Sequence, residues 1–121
     1  MLTFTMRKIA FYRTGAGRCP VEEFLDSLEG AHAQRIAWVL RLIEEMHIVP
    51  ACYFKKLVDT EDLWEVRIRV GKIAFRVFGF FDGPQTFVLD HAIRKKTRKT
   101  PRSAIAIAEE RRRDYFGRKG K

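Results

Sequence analysis

Leu63-Trp64-Glu65-Val66-Arg67-Ile68-Arg69-Val70, then Gly71-Lys72, then Ile73-Ala74-Phe75-Arg76-Val77-Phe78-Gly79-Phe80-Phe81, is the stretch that decides the fold. In its first part Trp64, Val66, Ile68 and Val70 alternate with Glu65, Arg67 and Arg69, the period of two that marks a strand buried on one face. Gly71-Lys72 suits a two-residue hairpin with glycine where the backbone needs positive φ, so Ile73 to Phe81 is predicted to return antiparallel. Asp82-Gly83-Pro84 is a second turn, after which Thr86 to Ile93 runs back and carries His91 toward its end. The expectation is an antiparallel three-strand meander whose open face gathers Arg67, Arg69 and Arg76.

Upstream, Arg7 to Arg13 places Ile9 and Phe11 on one face and suits a first strand in the same sheet. Pro20 stands where a helix begins, with Glu22 and Glu23 at the positive end of its dipole. Val21, Phe24, Leu25 and Leu28 then form one apolar stripe, and Gly30 ends it. From Ala31 to His47 the stripe Ile36, Val39, Leu40, Ile43 and Met46 predicts a second helix, antiparallel to the first, and the pair covers the buried face of the sheet. Ile48 to Lys56 leads back to the sheet. Downstream, Thr100 as cap and Pro101 at the first position open a C-terminal helix, in which Ile105, Ala108, Arg112 and Tyr115 share a face. The expected fold class is α+β: N-terminal strand, two-helix hairpin, three-strand meander completing one sheet, and C-terminal helix. It is read as one domain over residues 1–121, with 1–5 and 117–121 expected to be mobile.

With 121 residues, 46% of them hydrophobic and 12% aromatic, the chain is long enough to bury a core without staples. Cys19 and Cys52 are too few for a disulfide framework and have no metal-site spacing, which suits reduced thiols in a cytoplasmic protein. The apolar runs are too short and too broken by charge to span a membrane, and no signal peptide is visible. The net charge is +9, and its placement says more than its size: residues 1–90 hold 12 Lys and Arg against 12 Asp and Glu, whereas residues 91–121 hold 12 against 3. A localised basic surface fits a polyanion, nucleic acid rather than an acidic membrane because it adjoins a sheet. The bland alternative is a solvated tail.

The element order resembles that of the RelE-like toxins. Leu63-Trp64-Glu65-Val66-Arg67, the Phe75-Arg76-Val77-Phe78 step, and His91 followed by Lys95-Lys96-Thr97-Arg98-Lys99-Thr100-Pro101 resemble the phage-derived, HigB-like branch of the RelE/ParE superfamily. Pro20-Val21-Glu22-Glu23-Phe24-Leu25 belongs to the same likeness, which covers nearly the whole chain. The resemblance implies the toxin of a type II toxin–antitoxin system, an endoribonuclease that cuts mRNA on the ribosome and is neutralised in a hetero-oligomer with a helix-turn-helix antitoxin.

Metal-free RNA cleavage by the 2′-OH needs a base, an acid, and cations for the charge that grows at phosphorus. Arg67 and Arg76 supply only the last, because a guanidinium stays protonated, and Arg69 adds a phosphate contact. Each arginine can also be read as a surface cross-strand partner of Glu65 or a neighbouring acid, Arg69 more readily than Arg67 and Arg76. His91 is the candidate proton carrier, or else a packed histidine in register with Phe87, Leu89 and Ile93. In the basic exit, crowding by like charge equips a lysine such as Lys96 to carry a proton, while Arg94, Lys95, Arg98 and Lys99 are candidate RNA anchors. Tyr115 reads more readily as packing than as chemistry. No cofactor or metal is expected. The competing readings are a non-enzymatic nucleic-acid-binding module and a structural partner whose basic end meets an acidic chain.

Overall fold

A computed structural model describes residues 6–96 and 99–120. The elements run β1 (Lys8–Phe11), α1 (Pro20–Asp26), α2 (Gly30–Glu45), β2 (Phe54–Lys56), β3 (Trp64–Val70), β4 (Ile73–Asp82), β5 (Thr86–Lys95) and α3 (Arg102–Lys119). One five-stranded sheet results, in the order β1-β5-β4-β3-β2. The meander β3, β4, β5 is antiparallel as its alternation predicts, with β2 antiparallel on one flank and β1 parallel to β5 on the other. Gly71 has φ of +59°, the conformation for which the hairpin needs glycine. The α+β architecture is therefore as expected.

Two helix boundaries differ from the sequence reading. Gly30 does not stop α1. It opens α2, because α1 already ends at Asp26 and the Ser27 hydroxyl donates to the Phe24 carbonyl at 2.6 Å. Met46 lies just past α2 on extended backbone and is exposed, so it is not part of the buried stripe. The rest of that stripe, Ile36, Val39, Leu40 and Ile43, packs with Val21 onto Val66, Ile68, Phe75, Val77, Phe87 and Leu89 of the sheet.

The opposite face is not open along its length. Ala104 and Ala108 of α3 lie on Leu63 and Phe78, and farther along Tyr115 and Phe116 lie on Phe80, Val88 and Tyr12. Small residues in the first half of the helix let its backbone approach the strands, and the two tyrosines finish their burial by hydrogen bonding: Tyr115 donates to Asp82 and Tyr12 to Asp114, each at 2.6 Å. Helix α3 runs to Lys119, whose ammonium donates to both Asp82 oxygens at 2.6 and 2.7 Å. Of the residues expected to be mobile, 1–5 and 121 lie outside the described residues. At the other end of α3, Thr100 does not cap: Pro101 is the N-cap and the Thr100 hydroxyl donates to Glu65 at 2.6 Å. Among the described residues no helix is long and apolar enough to cross a membrane.

A register slip between β4 and β5 decides which way His91 points. Phe78 pairs with His91 but Gly79 with Leu89, so Asp90 is an extra residue in β5. Glycine at 79 is required by crowding, since a Cβ there would collide with the Val88 carbonyl oxygen and come within 2.7 Å of the Phe87 ring. Beyond the bulge the alternation of β5 is inverted. Phe87 and Leu89 face α1 and α2, whereas His91 stacks on Phe78, and Ile93 joins the cluster under α3. The expected register of His91 with Phe87 and Leu89 is thus overturned by one inserted residue.

Candidate functional site

Beyond the start of α3 the same sheet face carries charge. Arg67 of β3 and Arg76 of β4 are directly opposite, with Glu65 and Arg69 to either side on β3 and Lys95 on β5. Like charges so paired repel, by a few tenths to 1 kcal/mol on an exposed sheet. Glu65 offsets this: its Oε1 lies 3.5 Å from Arg67 Nε and 3.4 Å from Arg76 Nε, while Oε2 accepts the Thr100 hydrogen bond. Glu65 is 3% exposed and Arg76 6%. The Arg76 Nη1 donates to the Phe75 carbonyl at 3.1 Å, but its Nε makes no hydrogen bond of good geometry to a described residue. Burial, with Arg67 and Arg69 behind it, lowers the Arg76 pKa against the pull of Glu65, yet a guanidinium remains charged at neutral pH. Burial and then Arg76 likewise hold the Lys95 ammonium below its ordinary value, again opposed by Glu65.

Two shallow depressions of about 390 and 380 Å³ adjoin here, sharing Arg67, Arg69 and Arg76 as their common wall. One continues to Lys72, Lys95 and Lys96, the other around the β3 edge to Arg35, Cys52 and Tyr53. A single buried carboxylate among so many cations leaves the ridge positive, and its guanidinium forks suit phosphate oxygens. Among the described residues no group of His, Cys, Asp and Glu is placed to hold a metal ion.

The sequence candidates separate into groups. Arg67, Arg69, Arg76, Lys95 and Lys96 come together. Arg94, opposite Phe75, alternates to the face of α1 and α2 and is exposed, and Lys99 is exposed beside Thr100. Arg98 lies outside the described residues. His91 is set apart from the arginine ridge. It lines a different depression with Thr14, Arg18, Phe24 and Arg111, none of which borders the ridge. Its ring stacks on Phe78 with centroids 6.0 Å apart. Arg111 Nη1 lies 3.2 Å from Nδ1 and donates to the Asp90 carbonyl at 2.7 Å. Burial and the Arg111 charge push the His91 pKa down to about 4. With an arginine N–H facing Nδ1, the ring is neutral at pH 7 and carries its proton on Nε2.

Sequence reasoning missed Arg35, Tyr53 and Arg111, which reach these depressions only through tertiary packing. It read Glu65 as an alternative to function, a partner that would explain the arginines away. In the fold the two roles coincide, because Glu65 holds Arg67 and Arg76 at the wall of both depressions. Tyr115 is a packing residue as expected, with its hydroxyl bonded to Asp82.

No curated protein matches the chain. A family model described as phage derived protein Gp49-like (DUF891) matches residues 23–113, a span that holds α2, the whole meander and the arginine ridge. With most of its length inside that match, the chain belongs to the Gp49-like phage-derived family, within the RelE/ParE-like toxin superfamily.

Proposed function

We propose that the chain is the toxin of a type II toxin–antitoxin pair, of the HigB-like kind, and that it cuts mRNA on the ribosome in the cytoplasm while a helix-turn-helix antitoxin restrains it. The observation that carries this reading is the Arg67–Arg76 pair held by one buried carboxylate at the wall of two open, cation-lined depressions. Family membership supports a toxin, and the cations support a phosphate ligand.

In the proposed reaction the 2′-oxygen bonds to the adjacent phosphorus as the bond from phosphorus to the 5′-oxygen breaks. The 2′-hydroxyl proton passes to a base, the leaving 5′-oxygen receives a proton, and a 2′,3′-cyclic phosphate remains. Arg67 and Arg76 stabilise the added negative charge at phosphorus. Lys95 and Lys96 share a depression with them, and Lys95, held below its ordinary pKa, is the better placed of the two to exchange a proton. Arg69 anchors a neighbouring phosphate, with Arg94 and Lys99 as outlying anchors and Arg98 as a further candidate. Many cations and few proton carriers make a site that binds RNA more readily than it cuts, until a ribosome holds the strand in line.

The test is induction in a bacterial host of the wild type beside Arg76→Ala and His91→Ala, with mRNA 5′ ends mapped. Wild type should stop growth and create codon-phased ends inside translated frames, and soluble Arg76→Ala should lose both. Loss in a well-folded His91→Ala as well brings the imidazole into the chemistry. If soluble wild type makes no new ends while it still binds RNA, a non-enzymatic binding module replaces this reading.

A further inference from the structure

The depression that turns around the β3 edge does not end on cations. β2 begins at Phe54, opposite Val66, and just before it the Arg67 N–H donates to the Tyr53 carbonyl at 2.8 Å, which brings Tyr53 and then α2 up to the arginine ridge. Tyr53 and Arg35 border that depression together with Arg67, Arg69 and Arg76. The Tyr53 ring meets Trp38 edge-on, 6.0 Å between centroids at 80°, and the Arg35 guanidinium sits over the Trp38 ring at 4.2 Å. Trp38 is 44% exposed and lies off the buried stripe of α2, so the core does not need an indole at this place. A half-exposed indole against Arg35 and Tyr53, which themselves border the depression walled by Arg67, Arg69 and Arg76, combines the two chemistries that alternate along a single-stranded nucleic acid, a flat base and a charged phosphate.

We infer that Trp38, with Arg35 and Tyr53, forms a nucleobase-stacking shelf, which takes a base of a single-stranded RNA whose phosphates lie on Arg67, Arg69 and Arg76. The inference rests on the RNA reading of the arginine ridge and adds to it a subsite for bases. A duplex does not fit this role, since its bases are already stacked on one another. Every base has a π face, so the shelf holds RNA without choosing a sequence.

Trp38 also reports on itself. It is one of two tryptophans, and the other, Trp64, is partly buried against the core and stacked on Phe54 at 4.6 Å. The experiment titrates the full chain with a 2′-O-methyl RNA oligonucleotide, which cannot be cleaved, and with an abasic strand of equal phosphate number. Tryptophan emission and anisotropy are followed over a series of salt concentrations. The RNA should quench the emission and the abasic strand should not. Trp38→Ala should bind the RNA about tenfold more weakly with the salt dependence unchanged. Trp38→Phe, which restores a ring, should keep the affinity while most of the quenching disappears. Arg69→Ala should behave differently, lowering the slope of log affinity against log salt by about 0.7. Salt-dependent binding without quenching, equal in wild type and Trp38→Ala, overturns the shelf, leaves the RNA reading intact and hands this surface to a protein partner. Absence of salt-dependent RNA binding in wild type removes the shelf and the RNA reading together.

Discussion

The face of the sheet under α3 has two ends built on the same alternating strands, and they have opposite fates. At one end Phe80, Val88 and Tyr12 are sealed beneath Tyr115 and Phe116. At the other, Arg67, Arg69 and Arg76 border shallow, open depressions. What divides them is where the chain returns: Thr100 is fastened to Glu65, α3 begins at Arg102, and its first buried residue is Ala104. The sealed end derives its stability from apolar area. The open end carries positive charge, part of it buried at Arg76 and Lys95, and one buried carboxylate keeps Arg67 and Arg76 in place.

The largest expected effect lies at the sealed end. Phe80→Ala removes a fully buried ring that meets Tyr115 at 5.2 Å and Phe116 at 5.4 Å. It should cost about 3–5 kcal/mol in urea unfolding. A loss near zero would mean that α3 does not seal this end, and the contrast would collapse.

Next in size is a pH effect at the bulge between the two ends. The His91 pKa falls from an ordinary 6.5 to about 4 in the folded chain. Its contribution to stability is present above pH 6.5 and is lost as the pH falls toward 4, because only the unfolded chain takes up the proton; the full change is about 3 kcal/mol. Asp90 acts in the opposite sense. Its carboxyl is buried, makes no hydrogen bond to a described residue, and is held well above its usual range by burial. What it contributes is present below its unfolded value near 3.8 and is lost as the pH rises through the folded one. Unfolding midpoints of Asp90→Asn between pH 4 and 7 should therefore rise more steeply with pH than those of wild type. Parallel curves for the two proteins would remove Asp90 from this linkage.

The smallest effect belongs to the open end. Glu65→Gln keeps the shape and an acceptor for Thr100 but removes the charge between Arg67 and Arg76. A loss of about 2 kcal/mol is expected, shrinking as salt screens the two guanidiniums. A salt-independent loss would show that Glu65 acts as a packing residue and not as a counter-charge.

Much of the fold was legible because its signals are local. Trp64, Val66, Ile68 and Val70 alternate, Gly71 sits at a hairpin, and Pro20 opens a helix, each a property of a few adjacent residues. The position of His91 was not legible. A single extra residue at Asp90 inverts every side chain after it, and whether a bulge forms depends on Gly79 of another strand meeting Val88 and Phe87. Helix ends were misread for a related reason: Thr100 looks like a cap until a carboxylate from a distant strand claims its hydroxyl.

Sequence by itself determined the α+β class, the meander, the amphipathic helix pair and a surplus of cations near the chain's end, since periodicity and composition need no partner to be read. Only the tertiary structure decided which cations share a site, that Glu65 unites them, that His91 belongs elsewhere and that Arg35 and Tyr53 adjoin the arginines with Trp38 against them. Those outcomes depend on contacts between residues far apart in the chain, and on where α3 lies across the sheet, which local spacing does not encode.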